Sequence, residues 1–130
     1  MTYFSTPGVT LAPLKKCLLA TVHASLEEQV FGHIRQAVLE RVAHNEFTAV
    51  VFDLSSVHLL DAYEFGQMQQ LARMLRLMGV RTMVVGLSVG LVAYLAGADV
   101  DTEGIEAERG LQEALERLMP QSFGAGAKHG

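Results

Sequence analysis

The chain has 130 residues, half of them apolar, and a formal net charge of −4, a length that buries one core and points to one domain. That acidic balance disfavours nucleic acid or an anionic membrane as partner, because both demand clustered Lys and Arg, and the lone pair Lys15–Lys16 does not supply a cluster. Cys17 is the only cysteine, which excludes an intrachain disulfide and a cysteine metal cluster and fits a reducing cytoplasm.

The opening "MTYFSTPGV" has neither the basic start nor the apolar stretch of a secretory signal. Two apolar runs, about 9–14 and 17–23, meet across Lys15 and Lys16 and read as a β-hairpin. Ser25 and Glu28 form an S-x-x-E capping box, and Leu26, Val30, Ile34, Val38, Leu39 and Val42 recur at helical spacing, predicting a helix of about 18 residues. "TAVVFDL" (48–54) is an unbroken apolar run of the kind found in strands covered on both faces, which favours a parallel sheet.

The next helix begins at Asp61, which can cap it with Glu64 three residues later, and Phe65, Met68, Leu71, Ala72, Leu75 and Met78 form its inward stripe up to Gly79 at C′. Residues 82–98 are apolar and uncharged, yet shorter than the roughly 20 residues of a membrane span. They divide into a strand (81–85), a break at Gly86, and a short helix from an N-cap at Ser88 to about Ala96. A weak strand near 103–106 and a last helix, about 107–119 with Leu111, Leu115 and Leu118 inward, complete the pattern before Pro120. Residues 1–119 are thus expected to form the domain, and 120–130, with little apolar content, a flexible tail.

Alternating strands and helices argue for an α/β layer architecture with a largely parallel sheet and right-handed crossovers. Ligands and partners of such sheets meet the carboxyl ends of the strands, which puts loops 54–62 and 86–88 on one functional edge. Catalytic constellations are poorly supported there. Asp53 and Asp61 are better explained as a strand-end turn residue and an N-cap than as an acid/base pair, and Ser55, Ser56 and His58 lie too close together in sequence for a triad. The histidines at 23, 33, 44, 58 and 129 lack ligand spacing, and Gly86, Gly90 and Gly97 form no phosphate loop. Met68, Met74, Met78 and Met83 read as core, with Met74 a candidate for a partner surface. No enzyme, metal or cofactor is indicated.

Three stretches carry a resemblance: "VVFDLSSVHLLDA", "RLMGVRTMVVGLSVGLVAYL" and "DVDTEGIEAERGLQEAL". Over about residues 8–119 the chain resembles a STAS domain, the fold of bacterial anti-anti-sigma factors, and most of all the RsbS-type stressosome scaffold. The resemblance implies a mixed, mostly parallel sheet of about five strands with about four helices. It also implies partners: a serine/threonine switch kinase of the GHKL type, other STAS-domain proteins, or both, in a homo- or hetero-oligomer. Family members are switched by phosphorylation of the Ser or Thr directly after the loop aspartate. Here Asp61 matches the aspartate, the acceptor position is Ala62, and a second regulatory Thr position matches Tyr94. The expected partner surface is Asp61, Ala62, Tyr63, Glu64, Gln67 and Ser88, acting as a permanently unphosphorylated face. Three alternatives stay open: a displaced acceptor at Ser55 or Ser56, a laboratory phospho-null form, and a small-molecule or nucleotide-binding STAS module.

Overall fold

A computed structural model describes residues 4–23, 26–98 and 100–120. The sheet starts one strand earlier than the apolar pattern indicates. β1 (Phe4–Thr6) pairs antiparallel with β2 (Val9–Leu14), setting Phe4 opposite Leu11. β2 then pairs antiparallel with β3 (Cys17–Val22), closing the expected hairpin with Leu14 opposite Cys17 and Lys15 at φ 56° in the two-residue turn. From there the ladders are parallel: β3 to β4 (Ala49–Asp53), β4 to β5 (Arg81–Val85), and β5 to β6 (Glu106–Glu108). The result is one six-stranded sheet whose spatial order follows the chain order, where about five strands were expected.

Parallel strands added in one direction through right-handed crossovers send every connecting helix to the same face. α1 (Glu28–Ala43), α2 (Ala62–Leu77) and α3 (Val89–Gly97) connect these strands, and one large core joins them. Phe31, Ile34 and Val38 of α1, Phe65, Met68 and Leu71 of α2, and Leu91 and Leu95 of α3 pack with Leu11, Leu18, Phe52 and Val84 of the sheet. The other face is covered by α4 (Leu111–Leu118), which buries Val51, Met83 and Val85 with Ala114, and Cys17 and Ala49 with Leu115. Alternation along β4 serves both cores, which is why its sequence is apolar without a break.

Several boundaries differ from expectation. α1 starts at Glu28 after an N-cap at Glu27 that makes no side-chain capping bond; Ser25, the expected cap, lies outside the described residues. Met78 is the C-cap of α2 and is exposed rather than inward, while Val80, just past the αL Gly79 (φ 82°), is buried in its place. The last helix does not begin at 107. Glu106–Glu108 instead extends the β5 ladder, with Met83 opposite Glu106, and Gly110 in extended backbone is the N-cap of α4. Residues 82–98 separate into β5, a turn and α3 as expected, and among the described residues no helix is long and apolar enough to cross a membrane. The expected tail after Pro120 falls outside the described residues.

Candidate functional site at the carboxyl edge of the sheet

β4 and β5 end side by side, with Asp53 opposite Val85. The chain leaving β4 stays tied to β5, since Leu54 N–H donates to the Val85 carbonyl (2.9 Å), and Val57 N–H then donates to the Leu54 carbonyl (3.0 Å) to close a turn. Asp53 acts as a turn residue: its Oδ1 accepts the Ser55 N–H (3.0 Å) and the Ser55 hydroxyl. Gly86, leaving β5, lies against this turn at φ 81°, and a Cβ there would stand 2.9 Å from Ser55 N and 3.0 Å from Asp53 Oδ1. Only glycine admits both that conformation and that approach.

The two helices that follow open toward each other. Asp61, in extended backbone (φ −86°, ψ 175°), caps α2: Glu64 N–H donates to Asp61 Oδ1 (2.7 Å) and Asp61 N–H donates to Glu64 Oε1 (3.1 Å). This closes the capping box expected from the spacing. Ser88 caps α3, its Oγ accepting the Leu91 N–H at 3.1 Å. Between them is a cleft of about 610 Å³, walled by His58, Leu60, Asp61 and Glu64 on one side and by Ser88, Leu91 and Tyr94 on the other. Of the apolar side chains here, Leu59 and Tyr94 line the cleft and are 81% and 48% exposed, while Tyr63 and Val89, next in sequence to Ala62 and Ser88, are 59% and 86% exposed. Large apolar side chains gathered so openly mark interaction surfaces more often than accidents of composition.

The structure therefore brings Asp61, Glu64, Ser88 and Tyr94 to one cleft. Ala62 and Tyr63 are exposed on the first turn of α2, and Gln67 is half-buried one turn further on. Ser55 is committed to the Asp53 turn, and Ser56 is exposed beside it. Leu59 and Val89 escaped the sequence reading. An apolar residue next to a buried one, as Leu59 is to Leu60, can face either way until the loop path is known. Away from this edge, the Arg81 guanidinium hydrogen-bonds Glu106 and holds its carboxyl below the usual range, and burial pushes the Cys17 thiol up. No group of three or more His, Cys, Asp or Glu among the described residues could hold a metal ion.

The STAS domain family model matches residues 8–114. The chain belongs to the STAS domain family. The match runs from the β1–β2 turn into α4, so it includes the whole corner around Asp61 and Ser88. Solved structures repeat this STAS fold at low identity. RsbS from Moorella thermoacetica, carrying a serine-to-glutamate substitution, is similar at 17% identity with a TM-score of 0.73, over 88% of this chain and 97% of that one. The anti-sigma factor antagonist SpoIIAA in its unphosphorylated form gives 13% identity and a TM-score of 0.69, over 86% of this chain and 96% of that one. A chain from the molecular architecture of the stressosome gives 16% and 0.66, over 86% of this chain and 97% of that one. No curated protein sequence matches this STAS domain.

Proposed function

We propose that the protein is a cytoplasmic, non-enzymatic binding domain of the anti-sigma factor antagonist or stressosome scaffold type. Its α2–α3 corner docks a GHKL-type serine kinase, another STAS-domain protein, or both. The observation that carries the proposal is the combination at the start of α2: a closed capping box and an exposed Ala62 with no hydroxyl, beside a cleft lined in part by Leu59 and Tyr94, with Tyr63 and Val89 exposed on the first turns of α2 and α3. The apolar side chains supply contact area, and the capped carboxylates fix the helix end. The likeness to an antagonist described by its phosphorylation state supports the reading.

In this reading Asp61, Ala62, Tyr63, Glu64, Gln67 and Ser88 form the contact surface. Ala62 leaves it without the charge of nearly −2 that a phosphate would add. A partner therefore meets the same neutral surface whatever the kinase activity around it. The switch lies in the partner or is absent.

Pull-down with a kinase or STAS protein encoded beside this chain tests the surface. Ala62→Glu, which sets a charge against the desolvated contact, is expected to weaken binding about tenfold or more. Retained binding would refute the site. Incubation with that kinase and ATP should leave the wild type without phosphate and convert Ala62→Ser to a phosphorylated form. Phosphate on the wild-type chain would redirect the reading to Ser55 or Ser56.

A further inference from the structure

α2 carries two stripes. The inward one, Phe65, Met68, Leu71 and Leu75, belongs to the core. Away from the core, Tyr63, Gln67, Gln70, Met74 and Leu77 recur in steps of four, three, four and three. That alternation averages about 3.5 residues, the repeat by which one helix meets another along a seam. The outer face of a solvated helix is ordinarily polar, and α1 obeys this: its exposed residues include Glu28, Gln29, His33, Gln36 and Glu40, and no large apolar side chain among them. In α2, Tyr63, Met74 and Leu77 are exposed, Leu77 at 90%, with Met78 beside them. From Tyr63 to Leu77 the stripe is about 21 Å long at the helical rise, the length of a contact between helices.

The stripe is self-complementary. Its polar pair, Gln67 and Gln70, lies in the middle, with apolar residues toward both ends. The charges of α2 divide by end: Asp61 and Glu64 open the helix, and Arg73 and Arg76 lie in its second half, neither arginine in an ion pair among the described residues. A parallel copy would set the acidic ends together and the basic ends together. An antiparallel copy, in the register that sets Gln67 against Gln70, brings Tyr63 to Met74 on both sides of the middle. The same register puts Asp61 and Glu64 level with Arg76 and Arg73 of the second copy, and Leu77 level with its loop at Leu59 and Leu60.

We infer that two copies of this chain pair antiparallel along α2, about a two-fold axis between Gln67 and Gln70. The amides of these residues bond across the axis and fix the register, the role a polar pair has in a helical seam. The Met74 sulfur of each copy lies against the Tyr63 ring of the other, a favourable contact. Pairing covers Tyr63 and Gln67, which the corner reading also uses, but it stands on the stripe and not on that reading.

Sedimentation velocity of the full chain, from micromolar to millimolar concentration, tests the pairing. The chain should pass reversibly from monomer to dimer. Met74→Glu and Leu77→Glu change residues exposed in the single chain, so both variants should fold, and each should weaken pairing about tenfold or more by setting a charge in the seam. Gln29→Glu, on the outer face of α1, should leave it unchanged. Orientation is read with oxidised glutathione: Gln67→Cys and Gln70→Cys chains, mixed, should cross-link to each other faster than either does to itself, with Cys17 buried and silent. A monomer throughout, a dimer that either glutamate leaves intact, or cysteine variants that each link best to themselves would overturn the inference. These measurements use the chain alone, so their failure leaves the corner reading standing.

Discussion

Replacing Gly86 with alanine tests the physical basis of the corner most directly. The residue lies at φ 81°, where a Cβ costs about 1–2 kcal/mol. The new methyl would also stand 2.9 Å from Ser55 N, 3.0 Å from Asp53 Oδ1 and 3.0 Å from Ser55 Cβ. Carbon contacts settle nearer 3.5–4.0 Å, so the Asp53–Ser55 turn must shift, and relief of such overpacking costs about 1–3 kcal/mol. The sum is about 2–5 kcal/mol, large against the roughly 5–15 kcal/mol that holds a domain folded. Urea unfolding followed by circular dichroism should show a midpoint lowered by about 1–2.5 M with the slope unchanged, taking a slope of about 2 kcal/mol/M. Gly66→Ala is the control: its Cβ would meet nothing within 4 Å, and in the middle of α2 it should gain up to about 1 kcal/mol. Because the turn lies between β4 and the loop to α2, Gly86→Ala should also weaken partner capture even where the chain stays folded. A loss of stability under about 0.5 kcal/mol, within the noise of an ordinary surface substitution, would refute the close approach.

Asp61→Ala removes the side chain that accepts the Glu64 N–H, and thermal unfolding should report a loss of about 0.5–2 kcal/mol. Glu106 is held below the usual carboxylate range, first by its hydrogen bond with Arg81. Its folded pKa lies below its unfolded one, so the stability it contributes is present above about pH 4.3 and is lost as pH falls through the folded value. In Glu106→Gln, the acid end of a Tm-against-pH profile should be flatter than in wild type. Burial raises the Cys17 thiol against the opposing influence of Arg81, so its contribution is present below the unfolded thiol value of about 8.5 and lost as pH rises toward the folded one. Cys17→Ala should therefore lose less stability than wild type between neutral and alkaline pH.

Much of this fold is legible in the sequence, because the deciding signals are local. Lys15–Lys16 between apolar runs marks the hairpin, and Asp61, Glu64 and Ser88 are at the caps they occupy. What escapes is decided by distant partners. β1 has a single large apolar residue, Phe4, and exists through its pairing with β2. "EAE" has the composition of a helix and becomes β6 because β5 presents an open edge there, with Gly110 then delaying α4. Met78 fits the helical stripe by spacing, but the chain turns at Gly79 before the stripe can bury it. At the corner, chemistry could be read from residue types. The facing of Tyr94 and the exposure of Val89 depend on how α3 packs, and the exposure of Leu59 on the path of the loop into α2, which no local pattern encodes.

The coincidence of spatial order and chain order has a consequence for how the molecule is made. Each strand from β2 to β5 can dock on its predecessor as it leaves the ribosome, and the helix that follows can close the large core behind it. The opposite face has no such schedule. Cys17 and Ala49 belong to early strands, yet their cover is Leu115, near the end of the chain. During synthesis that apolar strip must wait for α4, and it is there that a nascent chain is most open to capture by a chaperone or by a neighbour of its own kind.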